Sequence, residues 1–425
     1  MEGDQMNQEV GKEKQDSILT SSALLPHKIR QRIVNKPDWF QSDDGGWMSI
    51  DLSSPPNLLA LAQIAPDPTE KLTEGQLQEK RKFLADLSRH ISDLTVDVFD
   101  VIMANWVEDD GLSMISIDDF LELRGLTRRA DGSYDHRLRE EIRLQLNILN
   151  NMWIRAEEVW LFREDSNGKV KKVFERIHGK LLTIAGVKER KVGDQEYLAS
   201  AWYIQPGPPM LPYFKNPNKQ LARMTKAVLE FHPINESIEK RIARHLIWHF
   251  RIRQAKGDYL RSFNNEKLLS AAAIIIDGRK PARSKERIET AWDRLVEKKI
   301  IRAWQYDTEW DETLVGKKGW AKRWLKANII FEPTLDTEDY YRNIPKRLPE
   351  PAALLTKKES DNQNDPTAVI QALDAYRRQQ NLSQLALAEK LGIATSYLSM
   401  ILNNRRVPAE KLLEKIKALV NTKNP

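Results

Sequence analysis

The chain has 425 residues, 41 % of them hydrophobic, and a formal net charge of +6. That is enough apolar material for about two to four packed domains at roughly 100–200 residues each, so the chain is not a disordered protein. The absence of cysteine excludes disulfides, thiolate zinc sites and a cysteine nucleophile. So modest a charge permits an acidic polymer as partner without requiring one.

Residues 1–36 are polar and charged with little periodicity and read as a flexible tail. The opening MEGDQMNQEVGKEKQDS mixes acids with bases and has no apolar core, so no signal peptide is expected. No run of about eighteen apolar residues occurs, so no membrane span is expected and the location is read as cytoplasmic. Residues 37–90, with Trp39, Trp47, Pro55 and Pro56, read as an irregular to helical lead-in.

From 91 to 346 one order of elements occurs twice. LTVDVFDVIMANWVED predicts a helix, ISIDDFLELRGL a short helix, TRRADGSYDH a basic loop, and RLREEIRLQLNILNN a longer helix. MWIRAEEVWLF then alternates as a strand does. In the second copy SIEKRIARHLIWHFRIRQ, FNNEKLLSAAAII, DGRKPAR, SKERIETAWDRLVEKK and IIRAWQYD follow in the same order. Both copies carry Ile-Arg-Ala at the exit into the strand, at 154–156 and 301–303. Helix, short helix, turn, long helix and β-ribbon is the order of a winged helix-turn-helix; two unrelated α+β segments sharing that order is the alternative. The boundaries read as 91–215 for the first winged helix with a β-rich extension, and 216–346 for the second. Within the extension, Asn167-Gly168 marks a hairpin.

Residues 347–365, rich in prolines, charges and Asn/Asp, read as a linker, and 366–425 as a separate small domain. There Ser383 caps a helix burying Leu387, Ala388 and Leu391, Gly392 closes it, and the next helix turns Leu398, Ile401 and Leu402 inward. Thr395, Ser396, Tyr397, Ser399 and Met400 then form its exposed front, suited to base edges in a major groove.

Gln384 through Arg406 resembles the helix-turn-helix of the Cro/phage-repressor (Xre) family. The resemblance implies that Gln384 anchors a phosphate, that Ala388 packs against the turn and that Gly392 is the turn glycine. It places Thr395, Ser396, Ser399 and Met400 at bases, and Asn403, Asn404, Arg405 and Arg406 at the backbone. Asn404 stands where the family commonly has glycine, and asparagine tolerates the left-handed conformation required. From Pro366 onward nine Lys/Arg face four Asp/Glu, a balance suited to phosphate contacts.

The tandem winged helices resemble the replication initiators of theta-type plasmids. The resemblance implies dimerisation through the first copy and reading of repeated origin sites by the second. Charge agrees, since residues 279–328 hold 14 Lys/Arg against 8 Asp/Glu. Arg279, Lys280, Arg283, Lys285 and Arg287 fall in the turn and the start of the long helix, the edge that meets DNA. In the first copy Arg128, Arg129 and Arg137 mark the corresponding edge, with Arg124 and Arg139 beside them, and an ordinary solvated helix face is the alternative there. Trp320 and Trp324, one helical turn apart, read as a core stripe with the neighbouring lysines as its solvated side.

No catalytic reading survives. His245 and His249 are spaced for a metal but lack a partner glutamate or a second ligand cluster. No GxxxxGK[ST] loop occurs, and His136-Arg137-Leu138-Arg139 has no matching tyrosine motif for a recombinase. The expected fold class is mainly α with α+β winged-helix domains: tandem winged helices plus a C-terminal all-α helix-turn-helix domain. The expected function is sequence-specific binding of double-stranded DNA, without catalytic residues, metal or cofactor, as a homodimer or higher oligomer that engages host replication proteins. A transcriptional regulator using the same domains is the alternative.

Overall fold

The computed structural model describes residues 17–43, 45–108, 112–165, 167–192, 196–215, 218–254, 258–307, 310, 312–342, 366–380, 382, 384–393, 398, 402 and 410–421. The chain divides into two compact units, 1–346 and 347–425. The expected linker at 347–365 lies outside the described residues.

The first unit runs β1 (Ser17–Ser21), α1 (Leu24–Arg32), β2 (Phe40–Gln41), β3 (Met48–Asp51), β4 (Leu58–Ile64), α2 (Glu74–Arg89) and α3 (Asp93–Glu108). It continues with β5 (Ser113–Ser116), α4 (Ile117–Leu123), α5 (His136–Asn150), β6 (Met152–Glu164), β7 (Val170–Lys180), β8 (Leu182–Val192), β9 (Glu196–Pro206) and β10 (Leu221–Thr225). The second copy comprises α6 (Ala227–Glu230), α7 (Ser237–Gln254), β11 (Phe263–Asn264), α8 (Asn265–Ala271), α9 (Pro281–Glu297), β12 (Ile301–Tyr306), α10 (Trp320–Lys326), β13 (Asn328–Pro333) and α11 (Leu335–Arg342).

The second copy has the winged-helix topology in full. Its three strands order as β11-β13-β12, with β12 and β13 antiparallel. The first copy has the same three-strand order, β5-β9-β8, but its ribbon is β8–β9 and not the β6 strand expected to follow the long helix. The β6–β7 ribbon is instead added to β2, β3 and β4 in a five-stranded sheet. The partner is chosen by apolar matching: Leu58 faces Val159 and Ala62 faces Ile154, and all four are buried. The hairpin expected at Asn167-Gly168 is present, Gly168 adopting φ +74° where other side chains meet strain.

Two expected boundaries change. Residues 17–36 are not a tail: β1 pairs antiparallel with β10, Ser17 against Thr225, and α1 buries Leu25, Ile29 and, at its C-terminal end, Ile33. These three apolar residues recur every fourth position, a helical signal diluted by the surrounding charges. Residues 37–90, expected as an irregular to helical lead-in, hold the helix α2 but also β2, β3 and β4, which build one side of the large sheet. The strand that completes them, β6, pairs with β4 across roughly ninety to a hundred residues, out of reach of any local reading.

The two copies are joined by a buried ionic layer. α3 presents Asp93, Asp97 and Asp100 on one stripe, and all three are buried. From α7, Lys240 lies 2.9 Å from Asp97, Arg241 2.9 Å from Asp93 and Arg244 2.8 Å from Asp100, with Arg244 also pairing Asp97. Arg30 of α1 pairs with Asp100 and donates to Ser21 O and Thr20 Oγ1. The bases outnumber the acids, and backbone carbonyls take up the excess donors: Val228 and Leu229 accept from Lys240, and Ala273 accepts from Arg241. Dehydrating so many charges is costly unless their donors are met, and here backbone carbonyls accept from donors that the three carboxylates leave over. Burial raises the pKa of Asp93 and lowers that of Lys240 to about 8.

The second unit packs helices Pro366–Gln379, Gln384–Leu391 and Glu410–Asn421 around Leu373, Leu387, Ala388, Leu391, Leu398, Leu412 and Ile416. Gly392 takes φ +70° at the expected turn, and Ile393 N–H donates to Ala388 O at 3.0 Å.

Candidate nucleic-acid interface

The edge of the second winged helix expected to face DNA begins where α8 ends. Ala273 adopts φ +52°, a conformation that non-glycine residues favour little, and its carbonyl is fixed by Arg241 Nη1 at 2.8 Å. Gln31 of α1 secures Ala271 O at 2.6 Å. Asp277 then organises the entry to α9. Its N–H donates to Ser284 Oγ, and it accepts from Arg279 N–H at 2.8 Å and from Lys280 N–H at 3.0 Å. Pro281 occupies the first turn of α9, where its missing N–H costs nothing.

α9 buries Ile288, Ala291, Trp292 and Leu295, so its other face is open. Arg279, Lys280, Arg283 and Arg287 stand exposed there, and among the described residues none of them is ion-paired with an acid. Lys285 departs from the expected set. It is buried on the inner side, with Nζ 2.7 Å from Glu289, and Glu289 also accepts from Tyr306 OH. Tyr306 in turn accepts from Trp324 Nε1 at 2.9 Å. Lys285 therefore braces α9 against β12 and α10 instead of facing outward. The spacing gives the reason: Lys285 precedes Ile288 and Trp292 by three and seven residues, on the stripe that packs inward.

Within the segment 316–328 lies α10, with Trp320 and Trp324 buried as a core stripe in agreement with the sequence reading. Lys317, Lys318, Lys322, Arg323 and Lys326 remain exposed around it.

The corresponding edge of the first copy is largely neutralised within the protein. Arg128 is 3.2 Å from Glu122 and lies over the Tyr134 ring, Arg129 pairs with Asp135, and Arg139 makes two hydrogen bonds of 2.8 Å to Asp118. The Arg139 bonds hold the Asp118 carboxyl below its usual range. Arg124 is buried 3.7 Å from Asp97. Arg137 is exposed, and its N–H donates to Asp135 in the N-cap. Bases already compensated by carboxylates release fewer counterions from DNA than free ones.

In the second unit Gln384 opens the helix Gln384–Leu391, as expected. Thr395, Ser396, Tyr397, Ser399, Met400, Asn403, Asn404, Arg405 and Arg406 lie outside the described residues. The apolar residues read as the core of this unit are placed as expected where described, with Leu387, Ala388, Leu391 and Leu398 buried and Leu402 packed against them, while Ile401 and the capping Ser383 lie outside the described residues.

His245 and His249 lie 4.4 Å apart between ring centroids, within an aromatic cluster that includes His27, Trp248 and Phe263. Among the described residues no group of three His, Asp or Glu side chains is arranged to hold a metal. No described helix is long and apolar enough to cross a membrane.

Residues 373–421 match the model of the helix-turn-helix family, so the chain carries a DNA-binding helix-turn-helix domain there. No curated protein matches the chain. Among solved structures, RctB domains 2–3 are similar at 12 % identity, covering 74 % of this chain and 99 % of that one with a TM-score of 0.36. A selenomethionine derivative of RctB domains 2 and 3 is similar at 15 % identity, covering 64 % and 86 %, with a TM-score of 0.33.

Proposed function

We propose that the protein is a non-catalytic replication initiator of a plasmid or other mobile element, binding repeated sites on double-stranded DNA as a homodimer or higher oligomer. The observation that carries this reading is the contrast between the two copies. The second winged helix leaves Arg279, Lys280, Arg283 and Arg287 without acidic partners among the described residues, whereas the first copy compensates most of its own bases. Free cations on a preorganised edge supply the phosphate contacts that set register and affinity. Two winged helices in one compact unit, with a third reader in the same chain, suit an array of repeated sites. No metal, cofactor or covalent step enters the proposal, and the host proteins recruited are those of the replication machinery.

A second reading, a transcriptional regulator at a promoter, is favoured by the helix-turn-helix match at 373–421. Selection of bound genomic fragments by the full chain and by a chain ending near Pro351 separates the two. Selection of tandem repeats by the shorter chain, with opening of adjacent A·T-rich DNA, supports the initiator. Loss of all selectivity with the last 74 residues makes the promoter regulator the better account.

A further inference from the structure

Ile275 is 77 % exposed, the most exposed large apolar side chain among the described residues. Single exposed hydrophobic residues are common on protein surfaces, but this one is presented by a fixed backbone. Residues 274–277 belong to no helix, strand or turn, and their exposure differs along the segment: Ile274 and Ile276 are half-buried while Ile275 is exposed. Ile274 and Ile276 pack against the core and peg the segment down, leaving Ile275 to project. On one flank Arg241 holds Ala273 O at 2.8 Å; on the other Asp277 is bonded to Ser284 and Arg279. The exposure is therefore built into the turn.

The surroundings select the partner. Within the next twelve residues stand Arg279, Lys280, Arg283 and Arg287, all exposed and unmatched by acids among the described residues. An apolar protein surface would gain nothing from these charges, whereas a polyanion would. On double-stranded DNA the apolar group accessible beside the phosphates is the thymine C5 methyl, in the major groove. Resting on the DNA-binding reading above, we infer that Ile275 contacts a thymine methyl and contributes to the sequence preference of the second winged helix. It works beside the bases, which set affinity without discriminating sequence.

The test uses the full chain. Duplexes are selected from a random pool with the wild-type protein. Each thymine of the selected site is then replaced by uracil, which removes only the methyl group. Affinities of wild type and Ile275→Ala are measured by fluorescence anisotropy at one salt concentration. At one position the replacement weakens wild type about fourfold, the worth of one buried methyl, and leaves Ile275→Ala unchanged. Ile275→Ala itself loses affinity for the thymine duplex and keeps its affinity for random DNA. Equal losses in both proteins at every thymine overturn the assignment, as does wild-type affinity of Ile275→Ala for the selected site. A change confined to self-association also overturns it and puts a protein at this position. A wild-type chain that selects no duplex overturns the DNA-binding reading, and this assignment with it. An unchanged urea midpoint for Ile275→Ala excludes misfolding as the source of any loss.

Discussion

Lys240 and Asp97 form an ion pair of 2.9 Å in which neither side chain reaches solvent, and the two belong to different copies of the repeat. The tandem winged helices are thus one body, with α3 of the first locked to α7 of the second by groups that cannot separate without exposing unpaired charge.

Removing one partner should be severe. Asp97→Ala leaves Lys240, Arg244 and Arg124 facing a void, and breaking a buried pair in this way costs about 3–5 kcal/mol. The denaturation midpoint of the first unit should fall accordingly. Adding Lys240→Met to Asp97→Ala should recover part of the loss. Strict additivity of the two changes in urea denaturation would contradict a direct coupling.

Acid should destabilise the first unit through its histidines. Burial holds His27 and His245 well below 6.5, and His249 at about 4, with Arg253 and Arg261 adding to the shift at His249. Folded-state pKa values below the unfolded value mean that stability is complete above about pH 6.5. It is then lost as pH falls toward 4, because the unfolded chain binds protons that the folded chain refuses. Each histidine contributes roughly 1.4 kcal/mol per pH unit within that window. His249→Gln should flatten the profile by about one such increment, and a urea midpoint level from pH 7 to 5 would refute the account.

DNA binding should depend unequally on the two basic edges. Arg283→Ala should reduce the slope of log affinity against log salt by about 0.9 if the side chain meets one phosphate. Arg128→Ala should change it far less, because Glu122 already compensates that charge. Similar slopes for the two variants would argue that the first copy reads DNA as strongly as the second.

In the helix-turn-helix domain, Arg405→Ala should weaken binding to all sequences and lower the salt slope by about 0.9. Ser396→Ala should shift sequence preference and leave non-specific affinity intact. Binding assays on selected and random duplexes distinguish the two, and equal losses on both would end this division of roles.

The amino-acid sequence by itself determined whatever depends on neighbours a few positions apart. The apolar spacing of Leu387, Leu391 and Leu398 around Gly392, the hairpin at Asn167-Gly168, the order of helices in both copies and the stripe of Trp320 and Trp324 are local in this sense. Helical period and turn stereochemistry act within a few residues, so sequence exposes them. Only the tertiary structure decided that Ser17–Ser21 pairs with a strand two hundred residues away, that β4 rather than β5 receives the β6–β7 ribbon, and that Lys285 turns inward while Arg283 and Arg287 stay exposed, unpaired with acids among the described residues. A strand carries no record of its partner, and a charged side chain carries none of the acid that will meet it. Both are settled by which distant surfaces bury the most apolar area while leaving no donor unmatched.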